Sequence, residues 1–133
     1  MEIKRILYVE DNTSKYMDIV SYFKRMGFND IEWADNSEKA FAAIKKAKEE
    51  GRAFDLYLFD MHFEYDHKDD RDAGEKLMHD VRAAGDETPI IFVSSDNWKV
   101  PGAIGNIWYL PQRDWEEEAE DLMAKLKRMK ILK

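Results

Sequence analysis

The sequence contains no cysteine, which excludes a disulfide framework and thiol chemistry. No apolar stretch approaches the length of a membrane span or of the core of a signal peptide. Basic residues are fewer than acidic residues. The chain has 21 lysines and arginines and 28 aspartates and glutamates, so its formal net charge is -7. This balance argues against non-specific binding to nucleic acids or anionic membranes and favours proteins or small ligands as partners. We therefore expect a cytoplasmic protein.

The apolar content is sufficient for one folded domain. The 133 residues, 44% of them hydrophobic, can bury a sizeable core, and we expect a single domain spanning residues 1–133. Short apolar runs alternate with segments of helical period, which is typical of βα units on a parallel sheet. The five predicted strands cover residues 4–9, 31–34, 54–59, 89–93 and 107–110. Helices are predicted after the first, second, third and fifth strands.

Acidic residues stand at the ends of two predicted strands. Glu10 and Asp11 follow the first apolar run, and Asp60 closes the third. Because open α/β sheets bind ligands at the carboxyl edge, we expect these carboxylates to meet there. Three clustered carboxylates indicate either strongly shifted pKa values or a bound hard cation such as Mg²⁺. The alternative for Glu10 and Asp11 is a solvated loop, and the alternative for Asp60 is the cap of a turn.

Several segments, in order along the chain, resemble the response-regulator receiver (CheY-like) family. They are Ile6-Leu-Tyr-Val-Glu-Asp-Asn12, Ala34-Asp-Asn-Ser-Glu-Lys-Ala40, Asp55-Leu-Tyr-Leu-Phe-Asp60, Gly74-Glu-Lys-Leu77 and Pro89-Ile-Ile-Phe-Val-Ser94. The resemblance covers essentially the whole chain. It implies a flavodoxin-like, doubly wound α/β fold, with a five-stranded parallel sheet in the order 2-1-3-4-5 and helices on both faces.

The resemblance also implies roles for the site residues. Asp60 is the expected phosphoacceptor, and Ser94 is the expected switch residue that hydrogen-bonds the phosphoryl group. Mg²⁺ is the expected cofactor, with the carboxylates of Glu10, Asp11 and Asp60 and the backbone carbonyl of His62 as its ligands. A divalent cation is needed because the carboxylate nucleophile and the phosphodonor are both negatively charged.

One departure from the family's pattern removes a charge. The family carries a lysine immediately before a proline at the end of strand five, but here Leu110 precedes Pro111. Leucine cannot supply the positive charge that a phosphoryl group requires. Lys99, Arg71 and Arg113 are the candidate replacements.

Two further departures concern connecting segments. The acidic segment 63–73 is longer than is usual in the family, and we expect a mobile, solvated loop. A second cation site formed by its aspartates and His67 is the alternative. Between residues 94 and 110, a proline and two glycines discourage helix, so the fourth helix is expected to be short or absent. Trp98 is the aromatic residue of this region that we expect to be exposed.

The implied function is that of a stand-alone receiver domain of a two-component phosphorelay. It would accept a phosphoryl group on Asp60 from a histidine kinase or a phosphotransfer protein and signal through contacts with an output protein. Apart from slow autophosphorylation and autodephosphorylation it would not be an enzyme, and we expect a monomer or weak dimer. Two alternatives stay open on the same fold. One is a pseudo-receiver that docks without phosphorylation, and the other is a small metal-dependent phosphatase or cyclic-phosphate-processing enzyme.

Overall fold

The computed structural model describes residues 3–131, and their backbone forms a parallel sheet, a separate hairpin and four helices. The elements are β1 Arg5–Val9, α1 Thr13–Arg25, β2 Asp30–Ala34, α2 Ser37–Glu49, β3 Leu56–Phe59, β4 Phe63–Tyr65, β5 Lys68–Asp70, α3 Ala73–Ala83, β6 Ile90–Ser94, β7 Gly105–Trp108 and α4 Trp115–Ile131. The sheet order is β2-β1-β3-β6-β7, and β4 and β5 pair only with each other. Counting only the sheet strands, this is the predicted order 2-1-3-4-5, so the flavodoxin-like prediction is confirmed.

Both faces of the sheet are covered, because alternate residues of each central strand enter different cores. In β1, Leu7 and Val9 belong to the core formed with α2 and α3, whereas Ile6 and Tyr8 belong to the core formed with α1 and α4. All four residues are 0% exposed. This two-sided burial explains why the central strands appear in the sequence as continuous apolar runs.

The first two helices begin at asparagine caps. The side chain of Asn12 accepts a hydrogen bond from the Lys15 amide at 3.0 Å, and that of Asn36 accepts one from the Lys39 amide at 2.9 Å. The first cap directly follows the acidic pair, so the first turn of α1 lies beside the carboxyl edge of the sheet. Within residues 3–131, no helix has the length and apolar character required to cross a membrane.

The fifth strand of the sheet lies two residues earlier than predicted. β7 pairs with β6 from Gly105 to Trp108, so Leu110 lies beyond the strand. Glycine is disfavoured inside strands, but here it permits close packing, since a Cβ at Gly105 would overlap the side chain of Leu122. Residues 95–104 are all described and none is helical, which confirms that the fourth helix of the family is missing.

The segment after Asp60 forms a β-hairpin in place of the irregular loop that we expected, although most of its residues are exposed, as predicted. Asp66 and His67 form its tip with φ of 52° and 67°, the left-handed values that a two-residue hairpin turn requires. Phe63 at its base is 0% exposed and packs into the core shared with α2 and α3. The Asp66 amide donates to Ser37 Oγ at 3.0 Å. One buried aromatic side chain therefore anchors a segment whose other residues are mostly charged.

Candidate functional site

Three carboxylates meet where β1 and β3 end. Val9 of β1 is in register with Phe59 of β3, so Glu10 and Asp60 leave the sheet side by side. One carboxylate oxygen from each of Glu10, Asp11 and Asp60 lies within 4.8 Å of the others. Glu10 and Asp60 are 0% and 8% exposed, whereas Asp11 is exposed. The arrangement is a small acidic centre, buried on one side and open to solvent at Asp11.

The position of Asp60 depends on close packing by α3. The Gly74 amide in the first turn of α3 donates to the Met61 carbonyl at 3.0 Å. A Cβ at Gly74 would overlap the backbone oxygen of Asp60 and would lie 3.0 Å from Phe92 Cε1. The Met61 amide donates to Asp60 Oδ1 at 2.8 Å and orients the carboxylate. Glycine at position 74 is therefore a requirement of the site and not only of the turn.

A lysine that sequence reasoning missed lies inside the acidic centre. Lys15 Nζ is 2.9 Å from Asp60 Oδ1 and 3.0 Å from Glu10 Oε1. It also donates to the Val93 carbonyl at 2.8 Å. Lys15 is only 8% exposed. Its ammonium group thus makes three contacts, matching its three donors, at the ends of β1, β3 and β6.

The signal that could have found Lys15 is its position in the first turn of a helix. The helix dipole favours acidic residues there, yet α1 has none in its first turn. Of the three candidates for a replacement charge, Arg113 donates to the Trp108 carbonyl and stacks over the Trp108 ring at 4.4 Å. Arg71 is exposed and lines the cleft above the centre, whereas Lys99 lines a neighbouring groove.

Two aromatic side chains donate hydrogen bonds to Glu10. The Tyr8 hydroxyl donates to Glu10 Oε1 at 2.8 Å, and Trp33 Nε1 donates to the Glu10 carbonyl at 2.7 Å. The Tyr16 ring stacks on both, with its centroid 5.5 Å from that of Tyr8 and 4.1 Å from that of Trp33. Because Trp33 is 42% exposed, this stack connects the buried glutamate to the surface.

The burial of Glu10 alters its ionisation. Desolvation raises the pKa of Glu10 to about 8, the nearby Lys15 ammonium works against this rise, and the charge of Asp60 adds to it. Desolvation and the charge of Asp60 also raise the pKa of Asp11. Glu10 and Asp11 thus resist carrying negative charges beside Asp60, and a cation would relieve this condition.

The acidic centre has the donor set that Mg²⁺ requires. Oxygen ligands from carboxylates suit this ion, which also keeps several waters. Lys15 contacts one oxygen of Glu10 and one of Asp60, so each has a second oxygen, and Asp11 is exposed. One ammonium balances only one of the three carboxylates when all are ionised. The residues therefore fit a divalent cation beside Lys15.

The other two predicted site residues lie in the same cleft. The cleft has a volume of about 880 Å³, and Ser94, His62 and Leu110 are among its lining residues. Ser94 Oγ accepts hydrogen bonds from the Asp96 amide at 3.2 Å and from Trp98 Nε1 at 3.1 Å. Its hydroxyl proton therefore remains available to an acceptor in the cleft.

Two of the hairpin aspartates contact basic side chains instead of forming a second cation site. The His62 imidazole lies with Nε2 2.8 Å from Asp69 Oδ1, and Lys76 pairs with Asp70. Across residues 3–131, the acidic centre of Glu10, Asp11 and Asp60 is the only group of three or more histidine or carboxylate ligands close enough to share an ion. A second cation site in this segment is therefore not supported.

No protein-family model and no curated protein matches the sequence. Among solved structures, the chain is similar to the N-terminal domain of a response regulator/sensory box/GGDEF three-domain protein from Carboxydothermus hydrogenoformans. That match has 20% identity and a TM-score of 0.69, and it covers 97% of this chain and 98% of the other. A CheY-like receiver domain protein from Methanospirillum hungatei matches at 20% identity and a TM-score of 0.68, with 99% and 100% of the chains covered.

A third similar structure was solved with ligands. It is the receiver domain of the histidine kinase CKI1 from Arabidopsis thaliana complexed with Mg²⁺ and BeF₃⁻, at 22% identity and a TM-score of 0.53, covering 90% of this chain and 75% of that one. Identities this low establish the fold alone. The chain has the fold of CheY-like response regulator receiver domains, as the sequence motifs predicted.

Proposed function

We propose that this chain is a receiver domain that accepts a phosphoryl group on Asp60 in the presence of Mg²⁺. The observation that carries the proposal is the approach of Glu10, Asp11 and Asp60 to within 4.8 Å, at the carboxyl edge of a receiver-type sheet. The family resemblance implies that residues at these strand ends bind the cation and accept the phosphoryl group. The donor would be a histidine kinase or a phosphotransfer protein, and histidine kinase receiver domains are among the similar structures.

The phosphoryl transfer would use residues at the carboxyl edge of the sheet. Asp60 attacks phosphorus, the P–N or P–O bond of the donor breaks with its electron pair leaving on the donor, and a new P–O bond forms. The carboxylates of Glu10, Asp11 and Asp60 and the carbonyl of His62 would hold Mg²⁺, which when bound neutralises the charge on the phosphoryl oxygens. Ser94 would donate its hydroxyl proton to one of those oxygens.

A small phosphodonor tests this proposal directly. Protein incubated with acetyl phosphate or phosphoramidate and Mg²⁺ should gain the mass of one phosphoryl group, measured on the intact chain. The adduct should be cleaved by hydroxylamine, as an acyl phosphate is, and Asp60→Asn should not form it. Asp121→Asn, which changes an exposed aspartate on α4, is the matched control. Absence of any adduct on the unmodified protein with every donor would contradict the proposal.

The second candidate is a pseudo-receiver that docks without phosphorylation. The buried Lys15 ammonium favours it, because one side chain of the protein already pairs with both Asp60 and Glu10 and offsets part of their charge. In this case the centre would be structural, and neither Mg²⁺ nor a phosphodonor would change the protein. The mass experiment separates the two candidates, since only the phosphoacceptor gains an adduct. In either case we propose that output passes through protein contacts of one domain spanning residues 1–133, as a monomer or weak dimer.

A further inference from the structure

We propose that Lys15 is the catalytic lysine of this receiver site, supplying from α1 the positive charge that the family supplies from the end of its fifth strand. The inference rests on the proposed phosphoacceptor role of Asp60. It adds a residue that no family motif in this sequence identifies. The site would then be complete despite the leucine at position 110.

The contacts of Lys15 are those of a group aimed at the reacting atom. Its Nζ lies 2.9 Å from Asp60 Oδ1, and the pair is almost fully buried, with both residues 8% exposed. Bonds to Glu10 Oε1 at 3.0 Å and to the Val93 carbonyl at 2.8 Å complete its three donors. Burying an ammonium is costly, and a buried ion pair compensates for that cost only when good geometry and further hydrogen bonds satisfy it, as the contacts of Lys15 do. The charge of Lys15 is therefore matched to the carboxylates of the acidic centre, and in particular to Asp60.

No other cation takes this place within the described chain. Leu110 lines the same cleft but carries no charge, and Arg71 is exposed above the centre. The Arg113 guanidinium is engaged by the Trp108 carbonyl and ring. Among the contacts of residues 3–131, the only ammonium or guanidinium group paired with Asp60 belongs to Lys15.

Phosphoryl transfer would provide a new hydrogen-bond acceptor for Lys15 when Asp60 loses its charge. Once Asp60 forms its P–O bond, its carboxylate charge is lost and the negative charge lies on the phosphoryl oxygens. The ammonium then exchanges Asp60 Oδ1 for a phosphoryl oxygen, a charge-assisted hydrogen bond that the flexible lysine stem can follow. Lysine would therefore stabilise the product and the charge that develops on the way to it.

The test compares Lys15→Met with Lys24→Met, an exposed lysine on the same helix. Two quantities are measured with Mg²⁺ present: the rate of phosphate gain from phosphoramidate, and the affinity for beryllofluoride by calorimetry. We expect Lys15→Met to lower both about tenfold or more, as loss of a charged hydrogen bond implies. Lys24→Met should match the unmodified protein. Adding Leu110→Lys to Lys15→Met should recover part of the loss, which a merely structural role would not predict.

One outcome would overturn the inference alone, and another would overturn it together with the receiver role. If Lys15→Met gains phosphate at the unmodified rate while Asp60→Asn gains none, Lys15 is not the catalytic lysine and the phosphoacceptor proposal survives. If the unmodified protein neither gains phosphate nor binds beryllofluoride, both proposals fail together. Should Lys15→Met not fold, as judged by circular dichroism, Lys15→Gln replaces it. A folded glutamine variant with unmodified rate and affinity would contradict the inference equally.

Discussion

Trp98 Nε1 donates a hydrogen bond of 3.1 Å to Ser94 Oγ, so a partly exposed indole holds the expected switch residue by its hydroxyl. Trp98 is 39% exposed and lines both the site cleft and the neighbouring groove that contains Pro101 and Asn106. Ser94 itself is 4% exposed. In a chain without the family's fourth helix, this pair connects the acidic centre to the surface.

We predict that Trp98 reports a phosphoryl mimic through Ser94. Mg²⁺ with beryllofluoride should change the tryptophan fluorescence of the unmodified protein, because a new acceptor for the Ser94 proton reorients the hydroxyl that Trp98 contacts. Trp98→Phe should abolish most of the change, whereas Trp108→Phe should retain it. Ser94→Ala should weaken the response, and an unaltered response in Ser94→Ala would show that the two residues are not coupled.

Gly74→Ala should destabilise the protein and impair the site together. The added Cβ would overlap the backbone oxygen of Asp60, and overpacking of this kind costs about 1–3 kcal/mol. Urea unfolding measures the loss of unfolding free energy, and phosphate gain measures the displacement of Asp60. Glu75→Ala, at the next and exposed position of α3, is the control. Unchanged stability in Gly74→Ala would mean that α3 can move away from Asp60 at little cost.

Asp11→Asn should weaken Mg²⁺ binding by about tenfold or more, because it removes one of the three carboxylates that we propose as ligands. Asp11 is exposed, so the fold should survive the change. Isothermal titration with MgCl₂ measures the affinity, and Asp121→Asn, an exposed change on α4, controls for net charge. Equal affinities in Asp11→Asn and the unmodified protein would remove Asp11 from the metal site.

The buried carboxylate of Asp86, away from the site, should make stability depend on pH in acid. Burial raises its pKa, but hydrogen bonds from Thr88 and Tyr57 outweigh burial and lower the pKa from 3.8 to about 2. A depressed native pKa contributes stability that is present above 3.8 and lost as the pH falls through about 2. Urea unfolding should therefore show that the unfolding free energy falls less between these two pH values in Asp86→Asn than in Asp121→Asn. Equal losses would contradict the prediction.

Phe63→Ala should unfold the hairpin and destabilise the whole protein. Complete removal of a buried phenylalanine ring costs about 3–5 kcal/mol, and Phe63 is 0% exposed. Hydrogen exchange should show faster exchange of the amides of β4 and β5. Glu64→Ala, an exposed change in the same strand, should leave both stability and exchange unchanged. If Phe63→Ala costs no more than Glu64→Ala, the hairpin is not anchored by this ring.

Local patterns in the sequence predicted most of the strands and the acidic centre. Continuous apolar runs and helical periods predict βα units, and the order of the strands followed from the family resemblance. Glu10 and Asp60 converge because they follow strands that pair in parallel, and parallel pairing brings equivalent strand ends to one edge. The missing fourth helix was also predictable, since proline and glycine act on the backbone within a few residues.

The hairpin and the bounds of the fifth sheet strand could not be predicted from the local sequence, because burial outweighed the local preferences of their residues. The charged residues around Phe63 favour solvent, but one ring buried against α2 and α3 orders the segment. Gly105 discourages regular structure by itself, yet pairing with Ile91 of β6 and packing on Leu122 place it in β7. These stabilising contacts come from residues distant in sequence, and the hydrophobic periodicity of a segment carries no information about them.

The amino-acid pattern was enough to predict the fold and three carboxylates at one edge of the sheet, but the lysine that pairs with them could not be found without the tertiary contacts. Lys15 and Asp60 are 45 positions apart, and no pattern links them. Their contact requires the Asn12 cap to start α1 beside the strand ends, so that a lysine in its first turn reaches the carboxylates. The contacts of a side chain depend on its position in the folded protein, and this position is determined by the packing of the whole chain.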